Sequence, residues 1–298
     1  ALLVVNPAAR RAARHEPEAR AALHRVGIAH EVARTERAGH AAELAGAAHG
    51  ALDAVFTLGG DGTTMEAVGA LAGSGVPVGA LPGGTGNLVA RTLGTPLRVG
   101  AAVEALAAGD TALVDLGVAT ATGPDGRPIT RRFAFAVGVG IDARMIEETP
   151  ARLKRRLGVL AYALTAGRAL LARDDFTAHV EVDGETMRRD AASVMVVNFG
   201  AVLGDLFWFG PGIRHDDGRL DLCLFSPRTT RDAARVLWRL SRRDFREDRA
   251  LVYRAGLAFR VETDPPRTVE ADGEVIGRTP LEVRVEPLAA TLLVPRRG

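Results

Sequence analysis

Residues 58–66 decide the fold prediction and read Leu58-Gly59-Gly60-Asp61-Gly62-Thr63-Thr64-Met65-Glu66. They follow the short, apolar and partly β-branched run 54–58, which we predict to be a buried strand. The glycines permit positive φ angles and expose backbone N–H groups. Thr63 and Glu66 have the spacing of a capping box, so we predict a helix beginning at Thr63. A helix start offers free N–H donors and a positive dipole end to an anion, so this segment predicts a phosphate site.

Asp61 lies inside this anion-favouring turn. A carboxylate costs electrostatic energy there unless a cation accompanies it, and the usual partner is Mg²⁺ bridging to phosphate oxygens. A tight strand-to-helix turn with Asp61 as a local cap is the alternative interpretation, since glycine-rich turns are common in α/β folds.

A second glycine-rich segment follows the next predicted strand, 76–81, and reads Pro82-Gly83-Gly84-Thr85-Gly86-Asn87. A helical run, 88–93, comes after it, and Asn87 is its predicted N-cap. Open α/β sheets bind ligands where such loops leave the carboxyl ends of neighbouring parallel strands. We therefore expect the two loops to lie side by side and to form one site.

Lysine is almost absent, since 38 residues are Lys or Arg and Lys154 is the only lysine. A Walker A loop and a protein-kinase fold both need a lysine on the nucleotide phosphates, so their usual forms are excluded. Residues 4–10 contain no Gly-x-Gly-x-x-Gly, which argues against an ordinary Rossmann dinucleotide site. Backbone N–H groups, hydroxyls, arginine and metal must then hold the phosphates.

These motifs resemble the diacylglycerol kinase catalytic family, the lipid kinases that include bacterial diacylglycerol kinase-like proteins, sphingosine kinases and ceramide kinases. The Gly-Gly-Asp-Gly-Thr signature is shared with NAD kinases and, in related form, with phosphofructokinases. Seven matching segments occur in family order along nearly the whole chain: 5–7, 59–63, 81–87, 114–117, 137–143, 216–221 and 272–274.

The resemblance implies a doubly wound α/β domain followed by a β-sandwich, with the nucleotide in the interdomain cleft. We place the α/β nucleotide-binding domain at 1–112 and a β-rich lipid-substrate domain at 113–298, and leave open whether the extreme C-terminus returns to the first domain. Strands alternate with alanine-rich helical stretches before residue 112. Short apolar or alternating runs follow, as in a sandwich. The predicted helices are 16–26, 40–49 and 100–108, and the later strands are 112–119, 132–139, 177–182, 193–198, 220–225, 257–262, 281–285 and 291–294.

The activity that the resemblance implies is transfer of the γ-phosphoryl group of ATP to a diacylglycerol-like hydroxyl, with Mg²⁺. ATP and Mg²⁺ are the expected cofactors. Asp61 then engages the catalytic Mg²⁺, directly or through water, and Glu274 is the base that takes the hydroxyl proton. A solvent-facing residue after an Asp272-Gly273 turn is the alternative for Glu274. The nucleotide-binding positions are Asn6, Thr35, Gly59, Gly60, Asp61, Gly62, Thr63, Thr64, Glu66, Gly84, Thr85 and Asn87.

The resemblance also implies a structural Mg²⁺ in the loop 214–219, with the Asp217 carboxylate and the carbonyls of Arg214 and Arg219 as ligands. An Asp-Asp-Gly turn without metal is the alternative. Asp115 is expected to join the metal network of Asp61, or else to be a strand-end carboxylate with a structural hydrogen bond. Leu88 stands where family members often carry Asp, which removes one carboxylate from that network.

Two basic and apolar stretches, 150–164 and 235–243, either lie as helices on an anionic bilayer or pack against the core with solvated arginines. The net charge of +2 is too small to argue for nucleic acid. We expect a lipid substrate at a membrane surface, no nucleic acid, and leave a homodimer open. Cys223 is the only cysteine, which excludes an intramolecular disulfide and favours a cytoplasmic protein. The two basic stretches add the expectation of peripheral contact with the membrane.

Two other functions stay open. An NAD kinase-like enzyme would be expected to carry an Asn-Glu motif where this chain has Asn198-Phe199. A non-catalytic lipid- or nucleotide-binding regulator of the same fold would not need the catalytic carboxylates, and Leu88 favours it.

Overall fold

The computed structural model describes residues 1–47, 50, 52–140, 176–202 and 207–296. The chain forms two compact units, one of Ala1–Val114 together with Leu288–Gly298 and the other of Asp115–Pro287. The first basic stretch, 150–164, lies outside the described residues. Within the part of the chain that is described, no helix is both long and apolar enough to cross a bilayer.

The first unit is a parallel sheet covered by helices. Its strand order is β2-β1-β3-β4, and the end of β17 joins it through the parallel pair Leu292 and Val78. The strands are β1 Leu2–Val5, β2 Glu31–Arg34, β3 Val55–Gly59, β4 Val78–Pro82 and the end of β17 Glu274–Val294. The helices are α1 Ala12–Arg25, α2 His40–Ala47, α3 Asp61–Ala70, α4 Leu88–Thr92 and α5 Val99–Ala107.

Continuous apolar strands explain this arrangement, because β1, β3 and β4 are buried along their whole length. A strand covered on both faces needs no polar alternation. Leu3, Phe56 and Leu58 form one core with Leu23 of α1 and Leu106 of α5. This packing fixes the ends of β3 and β4, and the two glycine-rich loops begin at those ends.

The second unit is built from antiparallel strands. The pairing order is β14-β13-β10-β7-β16-β17, while β15 pairs with β17 and β8, β8 with β9, and β5 with β6. The strands not yet given are β5 Asp110–Thr122, β6 Pro128–Phe133, β7 Ala136–Gly140, β8 Phe176–Val182, β9 Glu185–Ala191, β10 Ser193–Val197, β11 Ala201–Val202, β12 Phe207–Trp208, β13 Leu220–Phe225, β14 Leu251–Gly256, β15 Ala258–Asp264 and β16 Thr268–Ala271. One helix of this unit, α6, spans Thr230–Ser241.

The capping-box prediction is wrong. Helix α3 begins at Asp61 with Gly60 as its N-cap residue, and no side chain caps it. The Glu66 carboxylate instead accepts hydrogen bonds from the N–H groups of Gly39 and Ala41, each at 3.0 Å. It therefore stabilises the start of α2, because a tertiary contact offers it N–H donors that its own helix does not.

Two strand predictions also differ from the structure. The predicted strand 132–139 is divided into β6 and β7, because the backbone between them turns its N–H groups toward the Asp272 carboxylate. The predicted strands 281–285 and 291–294 are parts of one strand, β17. Strands β9, β11, β12, β14 and β16 were not predicted. The exposed pattern of β9 explains its omission, since apolar residues are sparse in it.

Candidate functional site

The two glycine-rich loops lie side by side, as predicted from their order along the chain. Strands β3 and β4 pair in parallel, with Gly59 opposite Pro82 at their carboxyl ends. Beyond the strands, the Gly83 N–H donates to the Gly59 carbonyl at 3.0 Å. The backbone contact thus continues from the sheet into the loops.

Glycine is required at this contact because the two backbones approach too closely for a side chain. A Cβ atom on Gly84 would lie 2.6 Å from the Gly60 Cα, and one on Gly83 would lie 2.9 Å from the Gly59 nitrogen. Real Cβ atoms are essentially never that close to a backbone atom. The loops therefore present backbone rather than side chains, which is the surface that binds phosphate in glycine-rich sites.

Asp61 connects the two loops. It is the first residue of α3, and its Oδ1 accepts a hydrogen bond from the Val89 N–H of α4 at 3.1 Å. A Cβ on Gly86 would lie 2.9 Å from Asp61 Oδ2. Burial raises the pKa of Asp61 above its ordinary value, and backbone N–H groups, chiefly those of Val89 and Leu88, oppose that rise. Asp61 is thus a cap, but of the neighbouring helix rather than of its own.

Asn87 closes the second loop upon itself. Its Oδ1 accepts from the Gly84 N–H at 2.9 Å, and its Nδ2 donates to the Gly84 carbonyl at 3.2 Å. The residue has a left-handed backbone with φ of 49°, which is uncommon outside glycine, asparagine and aspartate. The predicted N-cap position is correct, yet the side chain makes no capping hydrogen bond to α4.

Asn6, Thr63 and Thr35 lie at the same carboxyl edge of the sheet. Asn6 Nδ2 donates to the Thr63 hydroxyl at 2.8 Å, and the Asn6 N–H donates to the Leu58 carbonyl at 3.0 Å. Thr35 is buried, and its N–H donates to the Val5 carbonyl at 2.9 Å. The structure thus brings three sequence-predicted positions to the ends of β1, β2 and β3.

The remaining predicted nucleotide positions differ in exposure. The buried Thr64 hydroxyl lies 2.9 Å from the Thr57 hydroxyl, and the Glu66 carboxylate holds the start of α2. Both side chains therefore form hydrogen bonds within the protein that stabilise the fold around the loops. Gly62 and Thr85 are exposed, so their backbone and hydroxyl groups are accessible to a ligand.

In the second unit, Glu274 follows a two-residue hairpin turn. Asp272 and Gly273 have φ angles of 46° and 92°, and Ala271 pairs with Glu274 across the turn. These angles fit a type I′ turn, for which Asp-Gly is a favoured pair. The Glu274 side chain is 35% exposed and forms an ion pair with Arg131. It is accessible, but its position is restrained.

The Asp272 carboxylate restrains the turn. It accepts hydrogen bonds from three successive N–H groups, those of Ala134 at 2.8 Å, Phe135 at 2.9 Å and Ala136 at 3.0 Å. Hydrogen bonds to an ionised acceptor are roughly twice as strong as neutral ones. Asp272 therefore fastens the turn that carries Glu274 to the segment between β6 and β7.

Asp115 is fully buried and holds the loop that contains the predicted structural metal site. Its N–H donates to the His215 carbonyl at 2.7 Å, and its Oδ2 accepts from the Gly218 N–H at 2.8 Å. Asn198 Nδ2 donates to the carbonyls of Asp115 at 2.7 Å and Ala134 at 3.0 Å. The structural hydrogen bond that was the alternative for Asp115 is present.

The predicted metal loop carries neighbouring carboxylates. Asp217 Oδ1 accepts from the Arg219 N–H at 3.1 Å, and Arg214 pairs with Asp216 at 3.0 Å. Burial, together with the negative charge of Asp217, raises the pKa of Asp221 to about 6. Among the described residues, no group of three or more His, Cys, Asp or Glu side chains forms a metal cluster. A site with two carbonyl ligands, as predicted here, needs no such cluster.

Two residues with roles at this site were missed from the sequence. Asp272 was assigned only to the turn, although its carboxylate accepts the three N–H groups. Asn198 was considered only as part of an absent NAD kinase motif, although it connects Asp115 to Ala134. The residue types Asp272-Gly273 predicted the left-handed turn. The hydrogen-bond partners of Asp272 and Asn198 lie far away in the sequence, so no local pattern indicates them.

Comparison with known families agrees with both units. The diacylglycerol kinase catalytic domain matches residues 1–119, and the YegS C-terminal NAD kinase beta sandwich-like domain matches residues 135–294. This chain belongs to the diacylglycerol kinase catalytic family. The family assignment confirms the resemblance that the ordered motifs indicated.

Individual relatives support the assignment. The diacylglycerol kinase of Mycobacterium tuberculosis strain H37Rv is 29% identical over 263 residues, which cover 86% of this chain and 81% of that protein. A Synechocystis protein is 29% identical over 246 residues, and this match covers 81% of the present chain but only 54% of the relative. The chain thus spans about half the length of that relative.

Solved structures confirm the two-domain fold. A Bacillus anthracis protein assigned as a diacylglycerol kinase superposes with a TM-score of 0.82 at 24% identity, and the match covers 98% of the present chain and 94% of the Bacillus anthracis chain. Yeast NADH kinase in complex with NADH superposes with a TM-score of 0.52 at 11% identity, covering 100% of this chain and 83% of its own. An α/β domain followed by a β-sandwich is therefore the architecture of the protein.

Proposed function

We propose that the protein is a kinase that transfers the γ-phosphoryl group of ATP to the hydroxyl of a diacylglycerol-like lipid, with Mg²⁺. The observation that carries the proposal is Asp61, held between two interlocked glycine loops at the carboxyl ends of β3 and β4. The proposal also draws on the family and on the name of the Mycobacterium tuberculosis relative.

The nucleotide phosphates fit the loops because these offer backbone rather than side-chain bulk. The segment from Gly60 to Thr63 supplies N–H donors, and the Thr63 hydroxyl is fixed by Asn6 at 2.8 Å. Asn87 holds Gly84 in the second loop, where Thr85 is exposed. Backbone donors that are already fixed bind an anion with little loss of conformational entropy. The near absence of lysine in the chain agrees with this mode of binding.

The chemistry of Asp61 fits a divalent cation. Its carboxylate is partly buried, and the hydrogen bond to Val89 uses one oxygen, Oδ1. Mg²⁺ prefers carboxylate oxygen ligands and, when bound, neutralises negative charge on the phosphate oxygens during transfer. Asp61 would hold the catalytic ion, while Asp217 and the carbonyls of Arg214 and Arg219 would hold the structural one.

Glu274 is the proposed base. As the lipid oxygen bonds to the γ-phosphorus and the bond from that phosphorus to the ADP oxygen breaks, the hydroxyl proton moves to the Glu274 carboxylate. A positioned base contributes roughly 10²- to 10⁴-fold to such a reaction. Asp272 fixes the turn and Arg131 restrains the side chain, so both act as positioning residues.

The NAD kinase-like alternative is less well supported. Asn198 is buried, and its Nδ2 already donates to two carbonyls in the second unit. Phe199 follows it where the Asn-Glu motif would need a carboxylate, and stacks on Phe135 and His215. The other alternative, a non-catalytic regulator, differs from the proposed kinase only in lacking phosphoryl transfer, so a measurement of turnover distinguishes the two.

The test is transfer of ³²P from ATP·Mg²⁺ into a panel of micellar lipids that contains diacylglycerol, a sphingoid base, ceramide and phosphatidylglycerol. Wild type is compared with Glu274→Gln, with Asp61→Asn and with the control Glu282→Gln. Glu282 lies on the same strand and is likewise paired with an arginine, Arg260. We expect label in one lipid class, a loss of at least about 10²-fold in Glu274→Gln, and no loss in the control.

Each other outcome overturns part of the proposal. Label that persists in Glu274→Gln would remove the base assignment. ATP binding without label in any lipid would favour the regulator. A parallel reaction with NAD as the acceptor tests the other alternative, and label in NAD would favour the NAD kinase-like enzyme.

A further inference from the structure

Helix α6 carries a stripe of arginines with a tryptophan in its outer face. Arg231, Arg235, Trp238 and Arg242 follow one another at intervals of four, three and four residues, so they lie on one side of the helix. All four are exposed, and the Trp238 residue is 61% exposed. We call these four residues the Trp238 stripe.

The opposite side of α6 is fixed to the second unit. Val236 and Leu240 are buried in a cluster with Phe225 and Leu251. Arg239 is buried as well, and its Nη1 donates to the Asp248 carboxylate at 2.7 Å. The Trp238 stripe therefore cannot turn inward without breaking this packing, so its exposure follows from the fold.

The stripe has an excess of positive charge. In the described parts of the chain, Arg231 and Arg242 have no acidic partner, while Arg235 is shared between Asp232 at 3.3 Å and Asp248 at 3.5 Å. The Arg242 guanidinium lies 5.7 Å from the centre of the Trp238 ring. Two uncompensated cations thus flank the exposed aromatic ring.

We propose that the Trp238 stripe docks the protein on an anionic lipid bilayer. Tryptophan is enriched at membrane interfaces, because its ring suits the headgroup region. Arginines beside it can extend their guanidinium groups to phosphates while their stems cover apolar surface. Anionic lipids attract each such cation near the surface. The biological use of the docking rests on the proposed function, since a lipid kinase must reach a substrate held in a bilayer.

A bilayer fits these observations better than the other polyanions. Single-stranded nucleic acid is bound by a basic groove with several aromatic side chains for successive bases, whereas this convex helix offers a single tryptophan. A protein partner would be expected to need an apolar patch, and the described residues of this face contribute one large apolar side chain. The stripe places arginines and one tryptophan on the same exposed side, which is the combination that favours contact with the headgroup region of an anionic bilayer.

Vesicle co-sedimentation without ATP tests the charge. We compare phosphatidylcholine vesicles with mixed phosphatidylcholine and phosphatidylglycerol vesicles, using the double variant Arg231→Gln/Arg242→Gln. The matched control is Arg188→Gln/Arg189→Gln, which removes the same charge from exposed positions on β9. At about fivefold for each arginine, the stripe variant should bind mixed vesicles about 25-fold more weakly than the wild type, and clearly more weakly than the control.

Fluorescence tests the aromatic anchor. Trp208→Phe leaves Trp238 as the only tryptophan. On addition of mixed vesicles, its emission should shift to the blue and be quenched by brominated acyl chains, and phosphatidylcholine alone should produce a much smaller shift. Trp238→Ala should weaken vesicle binding while it leaves ³²P transfer into neutral detergent micelles unchanged, because such micelles have no anionic surface and the Trp238 side chain has no place in the proposed catalytic machinery.

Three results would overturn the docking proposal. These are an unchanged Trp238 emission with mixed vesicles, equal losses in the stripe and control variants, and binding to a soluble polyanion such as heparin with no preference for vesicles. The absence of phosphoryl transfer combined with intact vesicle binding would instead remove the proposed function and leave the docking surface in place.

Discussion

Gly84→Ala is the sharpest perturbation of the candidate nucleotide site. The new Cβ would lie 2.6 Å from the Gly60 Cα, whereas ordinary contacts begin at 3.4 Å. The two loops would therefore have to separate by about 0.8 Å, since neither atom belongs to a flexible side chain. Such a shift would stretch the hydrogen bond between the loops, from the Gly83 N–H to the Gly59 carbonyl and now 3.0 Å long, beyond useful range.

The expected destabilisation follows from two contributions. Overpacking of a close contact costs about 1–3 kcal/mol, and each lost hydrogen bond costs about 0.5–1.5 kcal/mol. With one hydrogen bond lost, the two contributions together lower the free energy of unfolding of the first unit by about 1.5–4.5 kcal/mol. Because the same loops form the proposed phosphate site, ATP should bind at least about tenfold more weakly, equivalent to about 1.4 kcal/mol.

Urea unfolding followed by circular dichroism and titration calorimetry with ATP measure the two effects. Gly46→Ala is the matched control, because Gly46 lies in α2 and a Cβ there would meet no atom within 4 Å. Alanine in a helix is favoured over glycine by about 0.5–1 kcal/mol, so this control should be slightly more stable than the wild type. If Gly84→Ala unfolds and binds ATP as the wild type does, the loops are not in the contact described.

Three further changes test other parts of the molecule. Asp272→Asn should lower the free energy of unfolding of the second unit by about 2–4 kcal/mol, because a charged acceptor of three N–H groups is lost. The control Asp125→Asn, in an exposed turn, should cost little. Equal melting curves for the two variants would contradict the role of Asp272 in fixing the turn. The pKa of Asp221 is raised to about 6, so its contribution to stability is greatest below about pH 4 and declines as the pH rises through 6, by up to about 3 kcal/mol. Asp221→Asn should remove this decline when the free energy of unfolding is measured from pH 4 to 8 in the presence of a metal chelator. The same pH dependence of stability in the variant and the wild type would refute the shift. Glu66→Ala should destabilise the first unit by about 1–2 kcal/mol through the loss of the α2 cap, while the ATP affinity measured by calorimetry stays nearly unchanged. A larger change in the free energy of ATP binding than in the free energy of unfolding would show that Glu66 contacts the nucleotide.

Much of the fold was readable from local patterns. The apolar runs that became β3 and β4, the glycines after them and the alternation with helical stretches predicted neighbouring loops at one sheet edge, and β3 and β4 do pair in parallel. The ordered motifs predicted the family as well. Such features depend on residue type and short spacing, which a linear sequence contains directly.

Side-chain roles depended on contacts between distant parts of the chain. The Thr63 and Glu66 spacing matched a capping box, yet Glu66 binds the N–H groups of Gly39 and Ala41. Asp272 has its partners at Ala134 to Ala136, far earlier in the chain. Local spacing can propose a hydrogen bond only within its own turn or helix.

The sequence by itself determined that two glycine-rich loops follow neighbouring parallel strands, and it determined the family and the two-domain architecture, because these follow from local residue patterns. Tertiary structure alone decided that Asp61 caps α4, that Asp272 secures the turn of Glu274 and that Trp238 faces outward. The physical reason is that a carboxylate binds whichever N–H donors the folded chain leaves unpaired nearby, and an amphipathic helix turns its more apolar face to the core. Both choices are made only when the distant segments have come together.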